Sequence, residues 1–325
     1  MAVPSYSGPG GSGDRRNDIK LSLSGPSPNG RPSQLVNGVT GSTDSFFWSG
    51  FATNTILTFD FGPGHARVIT EFRWTQSSAT SQGTYDFEAS NDATSWDTLI
   101  TGLVLGATNA VNTYSCASNT TEYRYYRLRQ TAGNTSSSPF LREIEFKIAG
   151  GASELTSATN VLAKGDRRSR ITMSSTFTLG DVSAPLNNLI DGEFGSSTAT
   201  ATWFATGQTN KVIVFDMGED VIVDKMAWIS SNSTDDGTYS FEGSLDGVSY
   251  TTLVSSFNII NTDTLIQFAN TTAYRYYRIS GPSAGTMSNR WQHEVEFSVS
   301  QIAGEGGSAT VSTRKTVVCV ASSGD

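Results

Sequence analysis

Apolar and polar residues alternate with a period of two in several segments of the chain. In one segment Tyr85, Phe87 and Ala89 alternate with Asp86 and Glu88, and residues 143–148 and 294–299 follow the same pattern. Because successive side chains of a strand point to opposite faces, this pattern predicts antiparallel strands with one face in water. No apolar run at helical spacing is longer than a turn or two. The pattern therefore favours a protein built of strands.

Short turn sequences separate the strand-like segments. Asp246-Gly247 lies between two such segments, and Gly247 tolerates the positive φ that a hairpin turn requires. Residues 91–94, Asn-Asp-Ala-Thr, fill the same position earlier in the chain. Both places predict hairpins.

The same sequence elements occur twice at a nearly constant separation. Gly-Asp-Arg-Arg stands at 13–16 and again 152 residues later at 165–168, and 154 residues separate Trp74 from Trp228. Further matches join Leu35–Gly38 to Leu189–Gly192, Gly83–Glu88 to Gly237–Glu242, Tyr123–Leu128 to Tyr274–Ile279, and Glu143–Phe146 to Glu294–Phe297. A repeat this long exceeds solenoid periods, so each copy is expected to be a domain with its own core.

The alternation and the repeat together predict an all-β fold. We expect two tandem antiparallel jelly-roll β-sandwiches of about eight strands each. The first is predicted at residues 13–149 and the second at 165–300. Outside them lie a flexible, Gly-rich N-terminal arm at 1–12, a connector at 150–164 and a short C-terminal tail at 301–325.

Composition narrows the classes of partner. The chain has 325 residues, 37% hydrophobic and 16% charged, which is enough apolar material for two cores. It carries 22 Lys and Arg against 30 Asp and Glu, so nucleic acid is not expected as a partner. No segment has the roughly 20 apolar residues of a spanning helix, and the first residues lack the apolar core of a secretion signal. We therefore expect neither membrane insertion nor export by the usual route. Two cysteines cannot form a disulfide framework.

The ordered set of motifs resembles a known family. An Asn/Asp-Gly turn, a strand ending Phe-Asp-Phe/Met-Gly (Phe59–Gly62 and Phe215–Gly218), Ser-Leu-Asp-Gly-x-x-Tyr-x-x-Leu at 244–253, Tyr-Arg-Tyr-Tyr-Arg and Glu-Ile/Val-Glu-Phe follow one another along the chain, most of them in both copies. In this order they resemble the discoidin, or coagulation-factor type C, domain of the galactose-binding-like jelly rolls. The resemblance implies non-catalytic domains that bind glycans, lipid headgroups or proteins through loops at one end of the sandwich. Fold alone does not choose among these ligands.

The resemblance also implies a calcium site near the Asp-Gly turn, closed by a carboxylate of the last strand. The second copy has Asp191 and Glu294 there, and such oxygen ligands suit Ca²⁺. The first copy has Asn37 in place of the aspartate, with Glu143 retained and Asp44 nearby, so metal binding is expected to be weaker there. The alternative for Asp191 is an Asx-type turn, in which its side chain binds its own backbone.

Several conspicuous residues are expected to be structural. On a strand, Tyr125 and Arg127 face away from Tyr126, so about half of the aromatic residues in the Tyr-Arg-Tyr-Tyr-Arg runs should be core. The tryptophans in strand-like segments are also expected in the core: Trp48, Trp74, Trp203 and Trp228. The carboxylate pairs two residues apart, Glu143/Glu145 and Glu294/Glu296, are interpreted as solvated strand faces, because glycoside cleavage needs acids on opposite sides of a bond.

The best candidate for a ligand site is the loop at 286–293 of the second copy. It presents Trp291 next to Asn289 and Arg290, and an aromatic face with polar side chains beside it is typical of a sugar site. Asp235 and Asp236 are predicted as a polar rim. The alternative is that Trp291 packs under its own loop.

These features favour a binding protein over an enzyme. Our first hypothesis is a virion structural protein of a bacteriophage, whose sandwiches attach to surface glycans or decorate the particle. Its partners would be surface glycans and other virion structural proteins, and it would be a homo-oligomer or displayed in many copies. One alternative is an extracellular setting, as the glycan-binding accessory region of a secreted bacterial carbohydrate-active enzyme. Another is an assembly module that binds only neighbouring structural proteins. An enzyme in its own right has the least support.

Overall fold

The structure is a computed structural model. It describes residues 4–6, 10–25, 28–41, 46–48, 51–106, 110–136, 140–149, 162–194, 197–230, 236–259, 264–287 and 291–300. Within these ranges the regular structure consists of strands and two short 3₁₀ helices. Accordingly, no helix of this part of the chain could cross a membrane.

The first domain is an antiparallel sandwich. Its strands are β1 (Lys20–Ser24), β2 (Pro28–Asn29), β3 (Phe47–Trp48), β4 (Ile56–Asp60), β5 (Val68–Gln76), β6 (Thr84–Ser90), β7 (Asp97–Val104), β8 (Val111–Ser115), β9 (Tyr125–Ala132) and β10 (Leu141–Ala149), with a 3₁₀ helix at Pro32–Val36. One sheet has the order β1-β4-β9-β6-β7 and the other β10-β5-β8, while β2 and β3 form a separate ribbon. The two sheets enclose one hydrophobic core.

The second domain repeats the main strand pairings of the first, but its second strand joins the last strand and the two strands equivalent to β4 and β5 are continuous. Its strands are β11 (Thr172–Ser175), β12 (Thr202–Trp203), β13 (Lys211–Ser230), β14 (Thr238–Ser244), β15 (Thr251–Asn258), β16 (Thr264–Gln267), β17 (Tyr274–Ala284) and β18 (Trp291–Ser300), with a 3₁₀ helix at Leu186–Ile190. The long strand β13 pairs with β17 in its first half and with β18 in its second, so it joins both sheets. In the first domain Pro63 and Gly64 separate β4 from β5 at the equivalent place, because proline cannot continue a ladder. The predicted pair of all-β sandwiches is confirmed.

The two cores place matched residues in the same way. Trp74 and Trp228 are completely buried, and Tyr126 and Tyr277 are completely buried as well. The Tyr126 hydroxyl donates to Arg67 O at 2.6 Å, and the Tyr277 hydroxyl donates to Val221 O at 2.7 Å. The prediction that alternate tyrosines of these runs are core is therefore confirmed.

The Gly-Asp-Arg-Arg repeats tie the start of each domain to its last strand. Arg15 and Glu143 form a buried ion pair, and Arg167 and Glu294 form the same pair in the second domain. The prediction of solvated carboxylate faces is wrong for both of these glutamates and for Glu296, which is 2% exposed. These carboxyl groups are shielded from water because the loop that carries the Gly-Asp-Arg-Arg motif covers the outer face of the last strand.

Polar contacts join the two domains. Asn17 Nδ2 donates to Phe297 O at 3.1 Å, and Gln267 Nε2 donates to Asp60 O at 3.0 Å. His65 Nε2 lies 2.5 Å from Asp224 Oδ2. On the first domain these contacts come from the segment after the Gly-Asp-Arg-Arg motif and from the end of β4 and the turn after it, and on the second from β13, β16 and β18.

The described segments before each domain also pack on it. Ser5 pairs with Ile148, with N–O distances of 2.8 and 3.0 Å, although the N-terminal arm was expected to be flexible. Gly11 O accepts from Phe146 N, and Ala163 O accepts from Phe297 N in the same way. Each repeat thus begins a few residues before its Gly-Asp-Arg-Arg motif. Most of the predicted connector and the whole predicted tail lie outside the described residues.

Candidate functional site

Two half-buried tryptophans meet at one end of the second domain. Trp203 of β12 is the strand partner of Trp291, the first residue of β18. Their ring centroids lie 4.3 Å apart at an interplanar angle of 68°, an edge-to-face arrangement. Such a geometry is favoured by the aromatic quadrupole, and both side chains remain partly exposed.

The first domain carries an aromatic pair at the same position. Phe47 of β3 and Phe140, immediately before β10, lie 5.4 Å apart at an angle of 75°. Phe140 is 44% exposed, and the neighbouring Phe46 pairs with Leu141 just as Thr202 pairs with Gln292. The two domains therefore present the same feature with rings of different size. We call these pairs the tryptophan pair and the phenylalanine pair.

A buried amide fixes the strand beneath the tryptophan pair. Gln292 Oε1 accepts from the indole nitrogen of Trp228 at 2.6 Å. Its Nε2 donates to Asp236 Oδ2 at 3.0 Å and contacts Met287 Sδ at 3.8 Å. Because both ends of this amide are held, the start of β18 and the Trp291 backbone have a defined position.

The loop beside Trp203 is held close to the indole. An added Cβ at Gly180 would lie 3.0 Å from Trp203 Cδ1, so a glycine allows this approach. Gly180 N donates to Trp203 O at 2.7 Å. Gln208 Nε2 donates to Thr178 O and Ala205 O, which connects the neighbouring loops. Backbone and Gln208 hydrogen bonds thus fix the loops next to Trp203.

The residues predicted for the ligand site differ in their location and burial. Trp291 is half-buried and contacts Trp203, whereas residues 288–290 of its own loop lie outside the described residues, so the alternative that it packs under that loop stays open. Asp236 is 1% exposed and supports Gln292, so it cannot belong to a polar rim in this arrangement. Asn289, Arg290 and Asp235 lie outside the described residues. Their roles stay predictions.

Trp203 is the site residue that the sequence interpretation missed. It was expected in the core together with Trp48, but only Trp48 is buried. The reason is register: the doublet Phe47-Trp48 corresponds to Trp203-Phe204, so Trp48 matches the buried Phe204 and Trp203 matches Phe47. Alignment of the two doublets, instead of the two tryptophans, would have revealed this.

The donors at the predicted calcium position are already engaged. Glu294 accepts from Arg167 through Oε1 and from Gly192 N through Oε2 at 2.9 Å. Asp191 Oδ1 accepts from Glu193 N at 2.9 Å, which is the alternative Asx-type turn. Among the described residues no three His, Cys, Asp or Glu side chains come together. This arrangement does not fit a Ca²⁺ site, which takes six to eight oxygen ligands.

The electrostatics around this turn agree with a structural role. Burial raises the pKa of the Asp191 carboxyl. Burial also raises the pKa of the Glu294 carboxyl, whereas the adjacent Arg167 guanidinium favours its ionised form. Glu294 holds the loop that carries the Gly-Asp-Arg-Arg motif, and Asp191 holds its own turn.

Comparison with known proteins gives likenesses of fold. No protein-family model matches the chain, and no curated protein matches it. A fucolectin from striped bass (Morone saxatilis) serum is 15% identical with a TM-score of 0.34, over 89% of this chain and 98% of that one. Allantoicase from Saccharomyces cerevisiae is 9% identical with a TM-score of 0.34, over 89% and 92%. Chitosan-binding module 1 of a chitosanase/glucanase from Paenibacillus sp. IK-5 is 19% identical with a TM-score of 0.34, over 42% and 96%.

These structures are galactose-binding-like, discoidin-type domains, the type that the sequence motifs resemble. One of the three is named as an enzyme and two are named for binding. At such identities and TM-scores they do not assign a ligand to this chain. We therefore base the functional assignment on the side chains described above.

Proposed function

We propose that this chain is a non-catalytic binding protein whose two β-sandwiches bind surface glycans through the aromatic pair at the end of each domain. The observation that carries the proposal is the Trp203–Trp291 contact, with ring centroids 4.3 Å apart and both side chains partly exposed. Aromatic rings pack against the C–H face of a sugar, and neighbouring hydroxyl and amide groups bind its hydroxyls. The second domain should dominate, because its rings are larger than Phe47 and Phe140.

A site of this kind binds weakly on its own. A dissociation constant near millimolar corresponds to about −4 kcal/mol. Linked copies raise the avidity by about 10² to 10⁴, so many displayed copies make attachment useful. This supports display on a particle, and we propose the virion of a bacteriophage as the setting, with other structural proteins as partners. An extracellular setting, as the binding region of a carbohydrate-active enzyme, satisfies the same requirement.

The direct test measures retention of the full chain, coupled to beads in many copies, on a glycan array and on purified bacterial envelope glycans. We expect Trp291→Ala and Trp203→Ala each to reduce retention at least tenfold. Val248→Ala is the control, because Val248 is 82% exposed at the β14–β15 turn of the same domain. Circular dichroism verifies the fold of each variant.

Two outcomes would contradict the proposal. Unchanged retention of a folded Trp203→Ala, Trp291→Ala double variant would exclude the tryptophan pair as the site. If the wild-type chain binds no glycan but copurifies with a structural protein in a native particle, the assembly-module alternative is correct. Electron cryo-microscopy of that particle would then locate the contact.

A further inference from the structure

The first domain has a groove on the outer face of its five-stranded sheet. Its volume is about 560 Å³, within the range of about 300 to 1,000 Å³ for small-ligand sites. Neither Phe47 nor Phe140 lines it. The groove is therefore a separate surface from the phenylalanine pair.

The floor of the groove consists of three neighbouring strands. In one cross-strand row Ser22 pairs with Thr58, and Thr58 pairs with Arg127. In the next row Asp60 pairs with Tyr125. Because alternate residues of β4 and β9 are buried in the core, these side chains point outward. The floor thus offers hydroxyls, an aromatic ring and three charged groups, Lys20, Asp60 and Arg127.

Trp96, which a neighbouring arginine holds in place, forms one wall of the groove. Trp96 follows the turn between β6 and β7, is half-buried, and lines the groove. The Arg127 guanidinium lies over its ring, 3.9 Å from the centroid, and Arg127 Nε donates to Glu88 Oε2 at 2.6 Å. Glu88 is only 4% exposed, so a buried carboxylate holds the Arg127 guanidinium. The indole is consequently held in place without covering the floor.

The charged groups at the centre of the floor, Asp60 and Arg127, are already paired. Asp60 accepts from both Arg124 Nε and Arg124 Nη2, at 2.7 and 2.9 Å. Arg127 is paired with Glu88. A ligand at the centre of the floor therefore meets hydrogen-bonding groups and aromatic surface, and the one lining charge without an ion pair among the described residues, Lys20, is exposed on the edge strand β1. This favours a neutral polyhydroxylated chain over an ionic ligand.

The second domain keeps most of the polar residues of this groove, with Asp216 and Tyr276 in the row of Asp60 and Tyr125, but differs at two lining positions. Arg278 lies 3.7 Å from the Tyr250 ring centroid and pairs with Glu242, as Arg127 does with Trp96 and Glu88. Val214, however, stands in the row position of Thr58, and a tyrosine replaces the tryptophan. The Thr58 hydroxyl and the larger ring are therefore particular to the first domain.

We infer that this sheet-face groove is a second carbohydrate-binding site, which takes a neutral oligosaccharide with Trp96 as the wall and Tyr125 as the floor. The inference takes its ligand class from the proposed function but uses a different surface. A chain that carries both sites would hold one end of a glycan at the domain tip and another segment along the sheet. The second domain should bind such a chain more weakly at its own sheet face.

The test titrates the full chain with cellohexaose, maltohexaose and N-acetylchitohexaose while the indole N–H signals are followed by NMR. We expect at least one probe to shift the Trp96 signal, with an affinity that salt changes less than twofold. Trp96→Ala and Tyr125→Ala should each weaken that probe at least tenfold. Tyr250→Ala, the matched change in the second domain, should weaken it less than threefold, and Val111→Ala, on β8 of the other sheet, should leave it unchanged.

The two binding proposals fail in distinguishable ways. If the Trp96 signal is unmoved by all three probes, or if Trp96→Ala and Tyr125→Ala bind like the wild type, the groove is not a site. Loss of binding on Trp96→Ala together with normal binding of Trp203→Ala and Trp291→Ala overturns the tryptophan pair but supports the groove. A steep fall of affinity with salt overturns the neutral ligand.

Discussion

Arg167 and Glu294 form an ion pair in which both side chains are completely buried, although 127 residues separate them in the chain. Arg167 also donates to Val295 O at 2.7 Å and to Ala163 O at 3.1 Å. The pair therefore connects the first loop of the second domain to its last strand. Arg15 makes the same connection in the first domain.

Removal of Arg167 should destabilise the second domain strongly. We expect Arg167→Ala to lower the free energy of unfolding by about 3–5 kcal/mol, because a buried carboxyl loses its partner. The control is Arg168→Ala, whose ion pair with Asp166 is about half exposed and should contribute little. Urea unfolding followed by circular dichroism measures both. Equal unfolding midpoints for the two variants would show that the buried pair is dispensable.

The close approach of Gly192 to Gly165 makes a second prediction. Both residues have φ near +80°, but an added Cβ at Gly192 would lie 2.7 Å from the Gly165 carbonyl carbon, whereas one at Gly165 meets nothing within 4 Å. We expect Gly165→Ala to cost about 1–2 kcal/mol from backbone strain alone. Gly192→Ala should cost about 3 kcal/mol or more, because the clash is added. The melting temperatures of the two variants test this order. A lower melting temperature for Gly165→Ala than for Gly192→Ala would contradict the prediction.

The buried Glu296 should make stability depend on pH. Burial, and then the nearby Asp14, raise the pKa of Glu296 to about 7, although Arg16, Arg167 and Lys164 oppose this. A carboxyl whose pKa is raised in the folded state contributes stability below about pH 4.5 and loses it as the pH rises to about 7. Glu296→Gln should therefore lose less stability than the wild type over that interval and be the more stable protein at pH 8. Unfolding free energies of both proteins at pH 5, 6, 7 and 8 provide the comparison. If the stability of both proteins changes equally with pH, Glu296 is not the group responsible.

Calcium should have little effect on the folded second domain. Both oxygens of Glu294 accept protein hydrogen bonds, so a metal ion would have to displace Arg167. We expect the melting temperature to be unchanged by millimolar CaCl₂ or by chelator, since an ion that bound only the native state would raise it. A rise that grows with calcium concentration, and that disappears in Asp191→Ala, would instead support the ligand set implied by the family resemblance.

Local pattern determined much of this protein. The period of two identified strands such as β6 and β10, and the turn residues located the hairpin at Gly247, where φ is +73°. The repeat placed Trp74 and Trp228 at equivalent core positions. These features follow from sequence because alternation, turn geometry and duplication are local or periodic properties.

Tertiary structure decided which outward faces meet water. The sequence pattern places Glu296 on the polar side of β18, but packing against other segments buries it. The sequence pattern also could not show that Trp203 and Trp291, 88 positions apart in the chain, become strand partners. Nor could it show that Arg127 would hold the Trp96 ring. The physical reason is that alternation distinguishes the two faces of a strand, whereas the element that covers the outer face comes from a distant part of the chain.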